Sequence, residues 1–212
     1  MSYGRLNAAI GFAVGLGALV LQFALTVPAA TTTRNLPLAL LFFFSFFTIL
    51  TNLTLVLIYL SELPPRLPLG FFRRPVTRAM MVAVMVLVTL FYHFLLASQW
   101  NPEGLFLTAD RLLHYATTLI YGIWWARFAP HGLVEWRDIP IMLAPTAIYF
   151  VLILLRGAVL GEYPYFILQV DSLGYPTVFL NALIVAIALA ALCAAVIGAD
   201  KFLARKPRTT LA

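Results

Sequence analysis

Two residues in apolar stretches of the chain have the chemistry of a nucleophile and its base: the hydroxyl of Thr48 and the imidazole of His114. A threonine inside the chain has no free α-amino group to take its proton, so attack on a carbonyl needs an external base. Histidine suits that task because its pKa lies near neutrality. The pair therefore predicts acyl transfer, with Thr48 as nucleophile and His114 as general base. This chemistry requires neither a metal nor a cofactor.

Other polar residues in the same stretches can support this pair. Asp110 lies four residues before His114, so its carboxylate shares a helical face with the imidazole and can hold the second ring nitrogen. The oxyanion of a tetrahedral intermediate needs hydrogen-bond donors, which supply several kcal/mol in such sites. The candidates for these donors, and for general support of the site, are Asn52, Asn181, Ser45 and His93.

Structural roles compete with these functional ones. Thr48 can bond back to the carbonyl of Phe44, as threonines inside membrane helices commonly do. Asn52, Asn181 and Ser45 can join neighbouring helices by hydrogen bonds, which is their ordinary use in membrane bundles. Both interpretations stay open from the sequence alone.

The histidines suggest a different class of function. An ionisable side chain within lipid costs free energy and is functional by default. His93 and His114 are expected in the outer half of neighbouring spans, so they can serve as axial ligands of a haem in a membrane electron carrier. A transporter is a third alternative, given Arg156 and Asp171 near the outer face. The chain lacks the repeated broken helices that are typical of transporters.

The composition defines the elements that must position these residues. Of 212 residues, 63% are hydrophobic and 10% are charged, whereas soluble domains have roughly 25% charged residues. Long apolar blocks alternate with short polar joints, which excludes both a water-soluble fold and a β-barrel. We predict an all-α polytopic membrane protein with six transmembrane helices in one bundle, at about 6–27, 37–60, 78–98, 106–128, 138–156 and 176–199.

Helical spacing places the candidate residues relative to one another. Ser45, Thr48 and Asn52 are spaced so that they share one face of a continuous helix over the second span. A rise of about 1.5 Å per residue, counted from the outer end of each span, puts Thr48 and His114 at the same depth. We therefore expect a polar site in the outer half of the membrane. The single cysteine, Cys193, lies in an apolar run, so no disulfide framework is available.

The basic residues predict the orientation of the bundle. Lys and Arg concentrate in cytoplasmic loops of membrane proteins, and most of the 14 in this chain lie on one side of the predicted spans. Both termini are therefore expected in the cytoplasm, and the net charge of +6 reflects topology and not a nucleic-acid site. A cleaved signal peptide is an alternative for the first block, but its apolar run exceeds the usual length. The residues on the cytoplasmic side are Arg5, Arg66, Arg73, Arg74, Arg78, Arg127, Arg137, Lys201, Arg205, Lys206 and Arg208.

Three short motifs follow one another along the chain: Phe-Phe-Thr-Ile-Leu-Thr-Asn at 46–52, His-Tyr-Ala-Thr-Thr at 114–118 and Tyr-Pro-Tyr-Phe at 163–166. In this order they resemble the androgen-induced-gene family of six-span intramembrane threonine hydrolases. The resemblance covers most of the chain, although each motif is short. Compared with the mammalian members, the chain has Asp110 where they have an amide and Leu119 where they have a proline. The stretch from the threonine to the histidine is also shorter.

The resemblance implies a function and a location. Family members hydrolyse fatty acid esters of hydroxy fatty acids, and their catalytic residues match Thr48 and His114. The resemblance further implies that this chain is a bacterial-type relative of the family and lies in the bacterial cytoplasmic membrane. We expect it to take a lipid substrate from the bilayer and to have no nucleic-acid partner. Tyr163, Tyr165 and Asp171 precede the last span in an outer loop, where they are candidates for the rim of the substrate site.

Overall fold

The regular structure of the described part of the chain is helical. The computed structural model describes residues 3–63, 67–99 and 101–205. Arg66, Lys206 and Arg208, which contribute to the predicted orientation, lie outside the described residues. The α-helices of the described part are α1 (Tyr3–Ala30), α2 (Leu36–Phe44), α3 (Phe47–Glu62), α4 (Pro75–Phe91), α5 (Gly104–Arg111), α6 (Thr117–Phe128), α7 (Ile139–Leu160) and α8 (Val170–Ala204). The all-α class is confirmed.

Several helices of the described part are long and apolar enough to cross a membrane. By length and composition, four segments qualify alone: Tyr3–Ala30, Pro75–Leu96, Trp136–Leu160 and Val170–Ala204. Helices α2 and α3 together make a fifth candidate crossing, bent by 76° between them. The segment predicted to cross at 106–128 is helical from α5 to α6 but is not among these candidates. Its N-terminal part contains Asp110, Arg111 and His114.

The helices pack as one bundle. Helix α1 lies along α3 and also contacts α6, while α4 packs against α8, α6 and α3. Helix α7 packs mainly on α8. The ring of Tyr59 lies 5.8 Å from that of Tyr121 and 5.5 Å from that of Trp124, so aromatic side chains fill the core between α3 and α6. Gly11 lets α1 approach them, because a Cβ at that position would lie 2.2 Å from the Tyr59 ring.

The second predicted span is broken near its middle. Helix α2 ends at Phe44, the backbone of Phe46 is extended with φ −80° and ψ 125°, and α3 starts at Phe47. The expectation of one continuous helix with Ser45 and Thr48 on a shared face is therefore wrong. The break places Thr48 in the first turn of α3, where backbone N–H groups have no helical partner.

Side chains satisfy the backbone at this break, as a membrane interior requires. The Ser45 hydroxyl donates to the carbonyl of Phe42 at 2.7 Å, and the Ser45 carbonyl accepts from the Tyr149 hydroxyl at 2.8 Å. The backbone N–H of Phe47 donates to the Tyr165 hydroxyl at 3.0 Å. Residues from α7 and from the loop that follows it thus stabilise a break that the sequence of α2 and α3 alone does not announce.

Two π-helical turns occur elsewhere in the bundle. One turn, Tyr92–Leu96, follows α4, and the other, Leu112–Ala116, joins α5 to α6. A π turn inserts one residue into a helix and often occurs at a functional site. His93 lies in the first turn and His114 in the second.

The loop between α6 and α7 is held to the end of α8 by a buried carboxylate. Asp200 is 1% exposed. Its two oxygens accept from the backbone N–H groups of Gly132 at 2.9 Å and Val134 at 3.2 Å and contact His131 Nδ1 at 3.1 Å. Because Gly132 has φ 79°, which favours glycine, the loop can turn tightly around the carboxylate. This contact fixes the end of the bundle remote from the helix break.

Candidate active site

The structure brings the hydroxyl of Thr48 to the imidazole of His114. Thr48 Oγ1 lies 3.3 Å from His114 Nε2, although 66 residues separate the two in sequence. Thr48 reaches this position from the first turn of α3, and His114 from the π turn between α5 and α6. The N-terminus of α3 faces the same place. It is the positive end of the helix dipole and favours negative charge. A hydroxyl and an imidazole therefore meet beside the positive end of a helix dipole.

The other face of His114 is held by Asp110. Its Nδ1 atom lies 3.0 Å from the Asp110 backbone carbonyl and 3.3 Å from the carboxylate oxygen Oδ1. Both atoms of Asp110 are acceptors, so Nδ1 carries the proton and Nε2 has a free lone pair directed at Thr48. This is the tautomer that a general base needs. Asp110 is 6% exposed, which keeps the contact away from water.

Tyr92 supports the same arrangement from α4. Its hydroxyl donates to Oδ2 of Asp110, and its ring stacks on the His114 ring with the centres 4.0 Å apart. Asp110 therefore has one oxygen towards Tyr92 and the other towards His114. Thr89 adds a further contact, because its hydroxyl donates to the backbone carbonyl of His114. The imidazole is thus held by its ring face, its Nδ1 edge and its backbone.

Tyr165 contacts the Thr48 side of the pair. Its hydroxyl accepts from the Phe47 N–H at 3.0 Å and lies near the backbone and side chain of Thr48 and near the Tyr149 hydroxyl. Burial raises the pKa of the Tyr165 hydroxyl above its usual value, so the group is protonated at neutral pH. A phenol and a helix N-terminus next to the Thr48 hydroxyl are groups that stabilise a developing oxyanion.

The three other oxyanion candidates have different contacts. The Asn52 amide donates to the carbonyl of Thr48 at 2.8 Å and to that of Leu113 at 3.1 Å, which uses both of its hydrogens to join α3 to the π turn. The Ser45 hydroxyl is bonded within its own helix end, as described above. Asn181 donates to the carbonyl of Ile167 at 2.9 Å and so ties α8 to the loop that precedes it.

The remaining candidates lie at the edge of the site or outside it. His93 is exposed, and its Nδ1 is 3.1 Å from the Tyr115 hydroxyl, while His114 contacts Thr48 and Asp110. No contact of the described residues favours haem ligation by the pair. Asp171 is exposed in the first turn of α8. The Tyr163 ring packs so closely on Gly157 that a Cβ there would lie 1.9 Å from it.

Two cavities meet at the Thr48 and His114 pair. The first cavity has a volume of about 350 Å³ and lies between α3, α4, α7 and α8. The second cavity has a volume of about 510 Å³ and lies between α1, the α2–α3 break and α5. The residues that line both are Thr48, Tyr92, Leu96, His114 and Tyr165. A ligand with its reacting bond at Thr48 can therefore extend one limb into each cavity.

The linings of the two cavities differ in character. Apart from the shared residues, the first cavity is lined mostly by apolar side chains of α4, α7 and α8, such as Leu87, Phe91 and Phe179. The second cavity also has an aromatic wall but adds the polar side chains of Gln22 and Arg34. The first cavity suits a hydrocarbon chain, and the second suits a chain with a polar end.

The fold and the site together define an all-helical, membrane-type bundle with a threonine, a histidine and an aspartate in contact in its interior. Comparison of the chain with protein-family models, with curated proteins and with solved structures finds no match. The family resemblance of the short motifs therefore stays a prediction.

Sequence reasoning missed Tyr92 and the helix break. Tyr92 adjoins His93 in sequence, but in the structure the tyrosine contacts Asp110 and His114 while the histidine contacts Tyr115. No residue type at the break signals it, since Asn35 and Pro37 mark only the start of α2. The Tyr165 motif was noted, but its contact with the α3 N-terminus needed the structure.

Proposed function

We propose that this protein is an intramembrane lipid ester hydrolase in which Thr48 is the nucleophile and His114 the general base. The observation that carries the proposal is the 3.3 Å contact between Thr48 Oγ1 and His114 Nε2. That distance is at the long end of hydrogen bonding, as is common for catalytic pairs without bound substrate. The orientation of His114 by Asp110 supports the same assignment.

Acyl transfer proceeds in two balanced steps. In the first, Thr48 Oγ1 attacks the ester carbonyl carbon while its proton passes to His114 Nε2. The tetrahedral intermediate then expels the alcohol, which takes the proton from His114, and an acyl ester remains on Thr48. In the second, His114 removes a proton from water, the hydroxide attacks the acyl ester, and the fatty acid leaves as Thr48 regains its proton.

Tyr165 and the N-terminus of α3 stabilise the oxyanion in this proposal. The tetrahedral oxygen forms next to Thr48 and the Tyr165 hydroxyl, whose oxygen accepts from the Phe47 N–H and whose own O–H is the proposed donor to the oxyanion. The Asn52 amide and the Ser45 hydroxyl donate to backbone carbonyls. They therefore have a structural role at the α2–α3 break and between α3 and the π turn, and they are not oxyanion donors. A preformed donor set in a site lined by apolar side chains is worth far more than the same donors in water.

The substrate is a lipid ester with two hydrocarbon limbs, such as a fatty acid ester of a hydroxy fatty acid. Its carbonyl lies at Thr48, and the two cavities that meet there take the two limbs. The apolar linings favour a substrate that comes from the bilayer. The motif resemblance to intramembrane threonine hydrolases points to the same substrate class.

The topology belongs to the same proposal. The chain crosses the membrane six times, with 37–60 crossing as a bent pair and 106–128 crossing through its π turn, and both termini face the cytoplasm. The apolar helices and the distribution of Lys and Arg support this topology. The site then lies in the outer half of a bacterial cytoplasmic membrane. Polar groups such as Asp110 are tolerated at 106–128 because they face the bundle interior.

Turnover of purified protein tests the proposal. A hydroxy-fatty-acid ester is incubated with wild type, Thr48→Ala, His114→Ala and Thr54→Ala, and the released fatty acid is measured. Thr54 is a matched control, because its hydroxyl bonds only to the Leu50 carbonyl one turn back in the same helix. We expect the first two variants to lose at least about 1,000-fold in kcat and Thr54→Ala to keep its activity. Undiminished turnover in Thr48→Ala would end the proposal.

A further inference from the structure

The outer end of the second cavity has an excess of positive charge. Arg34 follows the last turn of α1 and lines this cavity. One carboxylate, that of Glu162, serves two guanidinium groups: its Oε1 is 2.9 Å from Arg34 Nη2 and its Oε2 is 2.9 Å from Arg156 Nη2. The cluster of three residues therefore has a net charge of +1. Anions are attracted to such a cluster, most strongly where apolar walls reduce screening.

Arg34 retains unused hydrogen-bonding capacity. Its Nε atom is buried and has no hydrogen-bond partner among the described residues, and its Nη1 donates only to the neutral hydroxyl of Thr33 at 3.1 Å. A guanidinium has five N–H donors in a planar fork that matches a carboxylate. Buried donors without partners are rare in native structures, so the unpartnered Nε of a residue that lines the cavity indicates a missing acceptor.

Aromatic rings connect Arg34 to the reacting pair. The Arg34 guanidinium carbon lies 4.7 Å from the centre of the Phe42 ring, and that ring is 5.0 Å from the ring of Phe46. Phe46 is the residue at the helix break, two positions before Thr48, and both rings line the second cavity. A hydrocarbon limb lying along these rings therefore runs from the guanidinium to the nucleophile.

The other charged group of this cavity does not neutralise Arg34. Asp110 lines the same cavity, but its carboxylate contacts the Tyr92 hydroxyl and the His114 ring at the reacting end. Its charge is therefore used to orient the base. An anionic group on the ligand is favoured at the Arg34 end and disfavoured near Asp110. The two ends of the cavity therefore differ in charge, which fixes the direction in which an anionic ligand lies.

We propose that the second cavity binds the limb of the ester that carries a free carboxylate, with Arg34 as its specificity-determining residue. The first, apolar cavity then takes the uncharged hydrocarbon limb. A net charge of +1 matches a carboxylate monoanion, whereas the dianion of a phosphate monoester would need a second free cation. This inference rests on the proposed function, and it adds which limb lies in which cavity and what recognises it.

Paired substrates test the assignment in the full-length protein. The palmitic ester of a hydroxystearic acid is compared with the methyl ester of the same molecule, which differs only in the charge of the carboxyl group. We expect wild type to favour the free acid in kcat/KM by roughly 10- to 100-fold, the usual worth of a charge-assisted hydrogen bond. Arg34→Gln should lose this preference while its kcat/KM for the methyl ester stays near that of wild type. Arg34→Lys should keep part of the preference.

Glu162→Gln is the matched control, because it breaks the same ion pair and leaves the guanidinium in place. It should keep the preference for the free acid or increase it, since Arg34 no longer has a competing carboxylate. Equal kcat/KM for the two substrates in wild type, or a preference that survives in Arg34→Gln, would overturn the inference and leave the proposed function standing. Because each ratio is measured on one protein sample, partial unfolding of a variant does not imitate the result.

A binding measurement separates failure of the inference from failure of the proposed function. Dissociation constants of the free acid and of its methyl ester are measured on Thr48→Ala, where no turnover is needed. Tighter binding of the acid that disappears in the double variant with Arg34→Gln supports the carboxylate subsite even if no ester is cleaved. Equal binding of acid and methyl ester, or stronger displacement of the acid by a lysophosphatidic acid than by a fatty acid, would contradict the carboxylate assignment.

Discussion

Replacing Tyr165 by phenylalanine removes one hydroxyl and leaves the ring that lines both cavities. The Tyr165 hydroxyl lies near Thr48 and accepts from the N–H of Phe47 at 3.0 Å. In the proposed mechanism it donates to the oxyanion, which forms only after Thr48 has attacked. Tyr165→Phe should therefore lower kcat and leave KM nearly unchanged, because the lost interaction exists mainly in the transition state.

The size of the effect follows from what remains in the site. Loss of one preformed oxyanion donor typically costs about 100- to 1,000-fold in kcat. In Tyr165→Phe the N–H of Phe47 loses its acceptor and becomes free to donate to the oxyanion, so part of the loss is compensated. We therefore expect about a 100-fold decrease in kcat, which corresponds to about 2.7 kcal/mol of transition-state stabilisation. In the resting protein that unpaired N–H should cost roughly 1–3 kcal/mol of stability.

The assay is steady-state hydrolysis of a lipid ester by purified wild type, Tyr165→Phe and Tyr163→Phe, with thermal unfolding measured on the same samples. Tyr163 is the matched control, because it lies two residues away in the same loop but packs on Gly157 instead of Thr48. Tyr163→Phe should keep kcat within about twofold. A Tyr165→Phe protein with wild-type kcat would refute the role of this hydroxyl, and a large change in KM alone would assign it to ground-state binding.

Two further predictions concern charged groups outside the site. Asp200→Ala leaves the buried N–H groups of Gly132 and Val134 without an acceptor, so we expect a loss of about 3 kcal/mol or more in unfolding free energy, seen as a lower Tm with intact activity at low temperature. Burial alone would raise the pKa of Glu162, but its hydrogen bonds to two arginines lower that pKa below its ordinary value of 4.5. Its contribution to stability is therefore present above 4.5 and lost as the pH falls through the lowered pKa. The Tm of wild type should drop over that acidic range, and Glu162→Gln should lack this component; identical pH dependence in both would contradict the ion pair.

The class of fold was predictable from the sequence because it depends on composition. In lipid, an apolar block long enough to cross the bilayer must form its own backbone hydrogen bonds, and an α-helix does so within one segment. The structure has helices at each predicted span. The contact between Thr48 and His114 was suggested by two estimates of depth. Both estimates counted helical rise along unbroken helices, and the break between α2 and α3 shows that this assumption does not hold for the span of Thr48.

The break between α2 and α3 was not predictable in the same way. Periodicity placed Ser45, Thr48 and Asn52 on one helical face, and nothing local forbids a helix there. The break is stable because Tyr149 and Tyr165, more than 100 residues away in sequence, bond to the freed backbone groups. A local pattern does not contain that long-range compensation.

The register of the π turns was likewise outside the reach of sequence reasoning. A π turn changes which side chains of a helix face the interior. Tyr92, the first residue of one π turn, contacts Asp110 and His114, whereas the neighbouring His93 contacts Tyr115, and the sequence alone does not distinguish these two positions. The roles of Asn52 and Asn181 depended equally on which carbonyls lie within reach, and that is a property of the packed bundle.

The most direct test of the central claim is the site of covalent reaction with an active-site probe. Purified protein is treated with a fluorophosphonate, which modifies activated hydroxyl nucleophiles, and the labelled residue is identified by mass spectrometry of the digested chain. The account predicts one adduct on Thr48, which requires His114 as base and is therefore absent in His114→Ala and retained in Thr54→Ala. An adduct on another residue, or labelling of Thr48 that is unchanged in His114→Ala, would contradict it.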